Sequence, residues 1–377
     1  MDDYHYFNHT PHSGRSWWDR RQFLNSWRRL YGDDPYWVPP YFPVLRKCLV
    51  PSQSPHLARL SPIFTYLEAL PRRGSKQHAV NPHSIAAAFD LPVATALVLR
   101  DPRRRDGAAY LSLLHSVYDR SSLKKLLTLL TEILAGQGCR KVIGPVGPSP
   151  YLGSGVLQDY WDRLPPLHTP YHPPYFPELI SHVLRPRWRS QLYHLAVPEK
   201  LPNSSASPAR LVPFDPARLA ADLLPLFVAA CPPWADTPPL DAEEAAVVLH
   251  KLQPWPLHGW LSEIEGQAVG FVLLQPDMAP ALQQANGGRT FPAWLWLMAT
   301  RHRPVKQGRI LFGSVLPAWR GQGIGQQLLG QALTFARHMG WQKLTIGPVP
   351  STGPANKFLK RHGAEPQQTY LLYQQEL

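Results

Sequence analysis

At 377 residues the chain is long enough for two ordinary domains, each with a core of its own. Lys and Arg outnumber Asp and Glu by 39 to 26, a formal charge of +13 that favours partners bearing phosphates or acidic surfaces. Cys48, Cys139 and Cys231 are odd in number and far apart, which excludes a disulfide framework and a cysteine zinc site and predicts a reducing, cytoplasmic home.

The start, Met1-Asp2-Asp3-Tyr4, lacks the basic-then-apolar order of a secretory signal. The apolar stretch Ile85–Leu99 is broken by Asp90 and Pro92, so no membrane span is predicted. The 43 prolines are scattered between periodic segments and read as loop stiffeners.

In chain order, the first segment of note is Asp34-Pro35-Tyr36-Trp37-Val38-Pro39-Pro40, followed by a basic cluster at Arg100 and Arg103-Arg104-Arg105. Leu123 to Leu134 has helical apolar spacing, then Gly138-Cys139-Arg140-Lys141-Val142-Ile143-Gly144-Pro145-Val146 reads as glycine stop, strand and Gly-Pro turn. Pro170 to Leu179 is a Pro/Tyr run. Arg185-Pro186-Arg187-Trp188-Arg189 is a second basic cluster with an interleaved aromatic. Such clusters can face solvent, nucleic acid, an acidic membrane face or phosphates, and no nucleic-acid motif accompanies them.

A Pro/Ser-rich linker is predicted at 198–209, dividing the chain into domains 1–197 and 210–377. Beyond it, Arg210 to Phe214 reads as a strand, Pro216 to Ala230 and Asp241 to Leu252 as helices, and Gly259 to Gln275 as a hairpin turning at Glu265-Gly266. Phe291 to Ala299 is bulky and apolar: it reads as a packed helix or as the lining of a pocket. A strand then leads into a glycine-rich loop and a helix (Leu328, Leu329, Ala332, Leu333, Ala336), and Gly340 to Val349 repeats the pattern of Gly138 to Val146. Helix, glycine stop, Lys, strand and Gly-Pro turn thus occur twice, which predicts two copies of one α/β fold.

The loop Val315-Leu316-Pro317-Ala318-Trp319-Arg320-Gly321-Gln322-Gly323-Ile324-Gly325 aims backbone N–H groups and a helix dipole at one point, where a pyrophosphate fits. A Walker loop would need Lys-Ser or Lys-Thr after the glycines. A dinucleotide fingerprint fails in both registers, at Gln326 and at Leu328, and the next acid is Glu365. Arg320-x-x-Gly323-x-Gly325 remains.

That motif resembles the signature [Arg/Gln]-x-x-Gly-x-[Gly/Ala] of the GNAT acyltransferase superfamily. The resemblance covers residues 210–377. The strings at 34–40 and 170–179, with Gly288-Arg289 and Gly308-Arg309-Ile310-Leu311, are similar to bacterial tandem GNAT-like proteins. It implies an α/β (α+β) fold of two GNAT-like domains, each a mixed, mostly antiparallel twisted sheet flanked by helices, paired as a pseudo-dimer. The implied activity is acyl transfer, N-acetyl transfer above all, from acetyl-CoA or another acyl-CoA to an amine on a small molecule or peptide, without a metal.

The implied cofactor-binding residues are Val315, Leu316, Arg320, Gly321, Gln322, Gly323, Ile324 and Gly325, with Thr352 and Asn356 from the last helix. The family places a tyrosine acid where this chain has Leu359, and an asparagine where it has Thr352. Leucine cannot protonate a thiolate, so the catalytic acid stays unassigned. Ser351, Thr352, Asn356, His362, Tyr370 and Tyr373 are nearby substitutes, and Thr352, Tyr370 and Tyr373 are retained as candidates. In the first half, Val117-Tyr118-Asp119-Arg120 replaces the glycine loop; its acid would repel a pyrophosphate, so that half reads as degenerate.

A CoA-binding sensor or scaffold, or an aminoacyl-tRNA-dependent transferase, are the alternative readings, the last of them involving nucleic acid. A monomer with internal pairing and a homodimer both remain open.

Overall fold

The computed structural model describes residues 4–8, 17–71, 91–199, 207–215, 219–231, 236–251 and 254–377. They form two compact units, Met1–Arg189 with Tyr370–Leu377, and Ser190–Thr369. The expected halves, 1–197 and 210–377, differ from these units by two strand ends, and residues 200–206 of the expected linker lie outside the described residues.

The first unit contains β1 (Tyr4–Asn8), α1 (Trp17–Tyr31), α2 (Phe42–Cys48), α3 (Pro55–Arg59), β2 (Ile63–Pro71), β3 (Leu91–Arg100) and β4 (Ala108–Ser116). Then follow α4 (Arg120–Gly136), β5 (Lys141–Val146), β6 (Val156–Leu157), α5 (Phe176–Ser181) and the start of β7 (Arg185–Ala196). Neighbours β1 to β4 pair antiparallel, while β4 and β5 pair parallel around α4 as their crossover. Helix α4 forms because Leu123, Leu126, Leu127, Leu130 and Leu134 recur at three and four residues and are all buried. Each such leucine contributes about 1.5–3 kcal/mol of burial. Gly138, at φ 76°, ends the helix in the left-handed region, and the Cys139 N–H reaches back to the Leu134 carbonyl at 2.9 Å.

The second unit holds the end of β7, then β8 (Arg210–Pro213), α6 (Leu224–Ala230), α7 (Ala242–Lys251), β9 (His258–Ile264) and β10 (Gln267–Pro276). After these come α8 (Ala279–Gln284), α9 (Phe291–Thr300), β11 (Gln307–Val315), α10 (Ile324–His338), β12 (Lys343–Pro350), α11 (Pro354–Arg361) and the start of β13 (Glu365–Glu376). The expected helix at 216–230 begins outside the described residues; a π-helical turn, Leu219–Leu223, leads into α6. Asp241 caps α7, accepting from the Glu244 N–H at 2.8 Å. The β9–β10 hairpin turns at Glu265 (φ 51°) and Gly266 (φ 79°).

Here β8, β9, β10 and β11 pair antiparallel in turn, and β11 pairs parallel with β12 around α10. Gly340, at φ 71°, ends α10 with the same device as Gly138, the Trp341 N–H bonding the Ala336 carbonyl at 2.8 Å. The repeat extends to register: Ala108 faces Lys141 as Gln307 faces Lys343, so Ala109 corresponds to Gly308 and Cys139 to Trp341. A Cβ at Gly308 would overlap the Trp341 ring, which explains why the smaller residue sits there. The Gly144-Pro145 and Gly347-Pro348 bonds are both cis.

Each sheet is closed by a strand from the other half of the sequence. Tyr373–Glu376 of β13 pairs antiparallel with β5 in the first unit, and Ser190–Ala196 of β7 pairs antiparallel with β12 in the second.

Candidate functional site

In the second unit, β11 and β12 share a ladder only from Gln307–Lys343 to Ile310–Ile346. Beyond that point β11 stays with β10 as far as Gly270–Val315, and β12 stays with β7 as far as Pro350–Ser190. Leu311–Val315 and Gly347–Pro350 therefore part, leaving a wedge between two parallel strands at their carboxyl ends. Ligands of open α/β sheets bind at such ends. At the apex, the buried Arg309 on β11 donates from Nη2 to the Gly347 carbonyl on β12.

The glycine loop follows directly from β11. The Leu316 N–H is fixed on the Val269 carbonyl at 2.8 Å, Pro317–Trp319 makes one 3-10 turn, and Arg320 folds back so that its Nε donates to the Val315 carbonyl at 3.0 Å. Gly321 (φ 83°) and Gly323 (φ 77°) then take left-handed conformations that cost other residues about 1–2 kcal/mol. Gly323 is the N-cap of α10 and brings no side chain to it. The bond from the Gln327 N–H to the Gly323 carbonyl, 3.0 Å, opens the helix, so the N–H groups of Ile324, Gly325 and Gln326 precede it, where an anion is favoured. Gly325 has a different role: a Cβ there would rest 3.6 Å from the Phe358 ring on α11, an ordinary contact that alanine also makes.

Charge reinforces the loop. Residues 278–364 contain eleven Lys and Arg and no Asp or Glu. This acid-free run was visible in the sequence and was noted there only as the distance to Glu365.

The residues expected from the last helix part ways. Thr352 is exposed in the turn between β12 and α11. Asn356 is buried on α11, and its Nδ2 donates to the Tyr193 hydroxyl at 2.6 Å, so its amide nitrogen serves packing within the unit. Leu359, in the family's tyrosine position, packs into the core with Leu328, Leu329 and Ala332. Tyr370 and Tyr373 are corrected from candidate acids to core residues of the first unit. Tyr370 pairs with Leu157 and is 0% exposed, and Tyr373 faces Gly144 at 2% exposure. His338 is exposed in the last turn of α10, and His362 Nδ1 lies 2.8 Å from the Phe358 carbonyl.

Tyr193 was missed by the sequence reading. It faces Ile346 at the register that Tyr373 takes against Gly144, and its hydroxyl also donates to Gln191 Oε1 at 3.2 Å. Burial pushes its phenol pKa up and so favours the protonated hydroxyl, while the hydrogen bond from Asn356 acts in the opposite direction. The repeat of helix, glycine stop and Lys-led strand is the signal that could have found it.

The first unit treats the corresponding place differently. Three residues, 117–119, join β4 to α4, where eight, 316–323, join β11 to α10. Asp119 is the N-cap of α4 and accepts from the Ser122 N–H at 2.7 Å. Beside the end of β4 the rings of His115, His172 and Phe176 stack in series, with centroids 5.9 and 4.6 Å apart, and the Trp27 ring lies tilted against His115 at 4.7 Å. Burial pushes the His172 imidazole down to about 3, against the Leu114 backbone hydrogen bond, and pushes His115 well below its usual value, with His172 adding to it. The two Pro/Tyr strings meet here, Tyr171 donating to Asp34 Oδ2 at 2.6 Å.

The basic cluster after β3 is partly neutralised within the unit, with Arg105 exposed. Arg103 pairs with Asp101, and Arg104 and Lys141 with Asp106. The Arg104 hydrogen bond holds the Asp106 carboxyl below the usual range, burial opposing it. Arg185, Arg187 and Arg189 are exposed. Among the described residues no group of three or more His, Cys, Asp or Glu is arranged to hold a metal ion.

Residues 221–364 match the family profile of the acetyltransferase (GNAT) family. The fold is similar to a tandem GNAT protein from the clavulanic acid biosynthesis pathway, at TM-score 0.57 and 12% identity over 98% of each chain. It is also similar to a conserved protein from Enterococcus faecalis, at TM-score 0.56 and 8% identity, over 98% of this chain and 72% of that one. A GCN5-related glucosamine N-acetyltransferase region in a fungal β-N-acetylglucosaminidase gives TM-score 0.56 and 13% identity, covering 98% of this chain and 38% of that multi-domain protein. At these identities the likeness is one of fold. Among curated protein sequences none matches the chain.

Proposed function

Because the chain is a tandem-GNAT-like protein of the GNAT superfamily, we propose that its second unit is an acyl-CoA-dependent N-acyltransferase, with acetyl-CoA as the simplest donor. The observation that carries this reading is the set of N–H groups at the start of α10, left without a side-chain cap behind two left-handed glycines. The donor set fits a pyrophosphate: backbone N–H groups, a helix N-terminus and a surrounding run free of acids. Gly321, Gln322, Gly323, Ile324 and Gly325 would hold the phosphates, and Val315 and Leu316 would flank the remainder in the wedge. When bound, an acyl-CoA supplies a thioester-activated acyl group for direct attack by a neutral amine.

The chain's own part is binding and alignment. Arg309 fixes the apex of the wedge, the parted strands offer backbone groups to an extended ligand, and Arg320 holds the loop through Val315. Tyr193 and Asn356 hold α11 against β7. The corresponding helix of the first unit is capped from within by Asp119, so the reading gives that unit no second cofactor site. The three cysteines, all unpaired with one another, support a reducing, cytoplasmic setting.

Calorimetric titration of acetyl-CoA and a longer acyl-CoA, beside Gly323→Glu, tests the reading. Binding by the wild type that the variant loses by about a hundredfold or more supports it. No binding of either ligand overturns it. A CoA-binding scaffold without turnover is the second reading, favoured by Leu359 in the core. Release of free thiol with candidate amines separates the two.

A further inference from the structure

We propose that α9, with the basic turn that follows it, is a docking surface for an anionic lipid bilayer. The hydropathy of Phe291-Pro292-Ala293-Trp294-Leu295-Trp296-Leu297-Met298-Ala299-Thr300 calls for burial, yet the helix buries only Leu297 and Thr300 fully. Phe291 is 72% exposed and Leu295, one turn later, 52% exposed; these are the two most exposed large hydrophobic side chains among the described residues. Pro292 and Ala299 extend the same outward stripe, and the Phe291 and Trp294 rings stack with centroids 5.7 Å apart. At ten residues the helix is about 15 Å long and cannot span a bilayer. It has the composition of a helix that lies in the headgroup layer, with Trp and Phe at the interface.

Charge identifies the occupant. Arg301, His302, Arg303 and Lys306 follow α9 directly, the last three exposed, and no Asp or Glu occurs from 278 to 364 to pair with them. An exposed apolar stripe that runs into Arg301, Arg303 and Lys306, in a stretch of chain without acids, complements acyl chains beneath anionic headgroups. A fluid surface also tolerates a stripe with no groove around it. This inference does not depend on acyl transfer, since it uses no residue of the glycine loop or wedge.

The test is flotation of the full chain with vesicles of equal parts phosphatidylglycerol and phosphatidylcholine, beside vesicles of phosphatidylcholine alone. The expected result is binding to the anionic vesicles that weakens with salt and falls about tenfold or more in Phe291→Glu/Leu295→Glu. Arg301→Ser/Arg303→Ser, which leaves the apolar stripe intact, should bind more weakly and with a shallower salt dependence. Circular dichroism and acetyl-CoA titration of each variant separate loss of docking from loss of folding or of the donor site. Wild-type protein that stays with the unbound fraction overturns the proposal, as does a Glu/Glu variant that floats equally well. Concentration-dependent dimerisation in sedimentation that the Glu/Glu variant abolishes would assign the stripe to a second copy of the chain and overturn it too.

Discussion

Asp119 and Gly323 stand at the same place in the two units, as N-cap of the crossover helix between parallel strands, and they resolve one physical problem in opposite ways. A helix start leaves N–H groups without helical partners. In the first unit a carboxylate of the chain itself accepts from Ser122, the connection is short, and imidazole and aromatic rings fill the space beside the end of β4. In the second unit the cap has no side chain, the connection is longer by five residues, and the strands part beside it. The same scaffold is capped from within in one unit and leaves its first helical N–H groups without a side-chain cap in the other. Local chemistry at a few positions makes that difference, as expected when sites are grafted on a common fold.

The largest expected effect comes from acid. His172 is buried and neutral, with a pKa near 3 against about 6.5 when unfolded. Between those values the unfolded chain binds the extra proton, so this group's contribution to stability falls as pH falls, by roughly 1.4 kcal/mol per unit and about 5 kcal/mol in all, with the buried His115 adding to the same loss. Urea unfolding from pH 7 to pH 4 should show that slope, and His172→Phe should flatten it. An unchanged slope in the variant would mean that the filled cleft is not held by a neutral imidazole.

Exchanging the caps comes next. Gly323→Asp should weaken acetyl-CoA binding by about a hundredfold, through left-handed strain and repulsion of the phosphates. Asp119→Gly should create no second binding event in calorimetry, because the loop there is too short; a new site would break the comparison.

A third test concerns volume. Gly308→Ala should destabilise the second unit by about 1–3 kcal/mol in chemical denaturation, because the added methyl overlaps Trp341. Combining it with Trp341→Cys should remove that clash and restore the first unit's pairing of Ala109 with Cys139. The smallest effect is expected for Asp119→Ala, a loss of about 1 kcal/mol in thermal unfolding with acetyl-CoA affinity unchanged.

Much of this was legible in the sequence, and what was not has physical reasons. The Lys-led strands and glycine stops fixed both crossover units because helix ends and strand periods are local. The turns at Gly321 and Gly323 were readable because left-handed conformations require particular residues. The burial of Tyr370 and Tyr373 in the first unit was not legible, because a strand's sequence does not say which sheet receives it. The bond from Asn356 to Tyr193 was not legible because the two lie far apart in sequence. The exposure of Phe291 and Leu295 ran against hydropathy, which records a cost of exposure and not the surface that relieves it.

The crossed strand ends bear on how such a chain can change over generations. Ser190–Ala196 is written with the first half and built into the second unit, while Tyr370–Leu377 is written with the second half and built into the first. Deleting the first half of the sequence would therefore strip the second unit of a strand and of Tyr193, and deleting the second half would strip the first unit of the strand that pairs with β5. Neither half of the sequence carries a whole unit, so the two are bound to be inherited together.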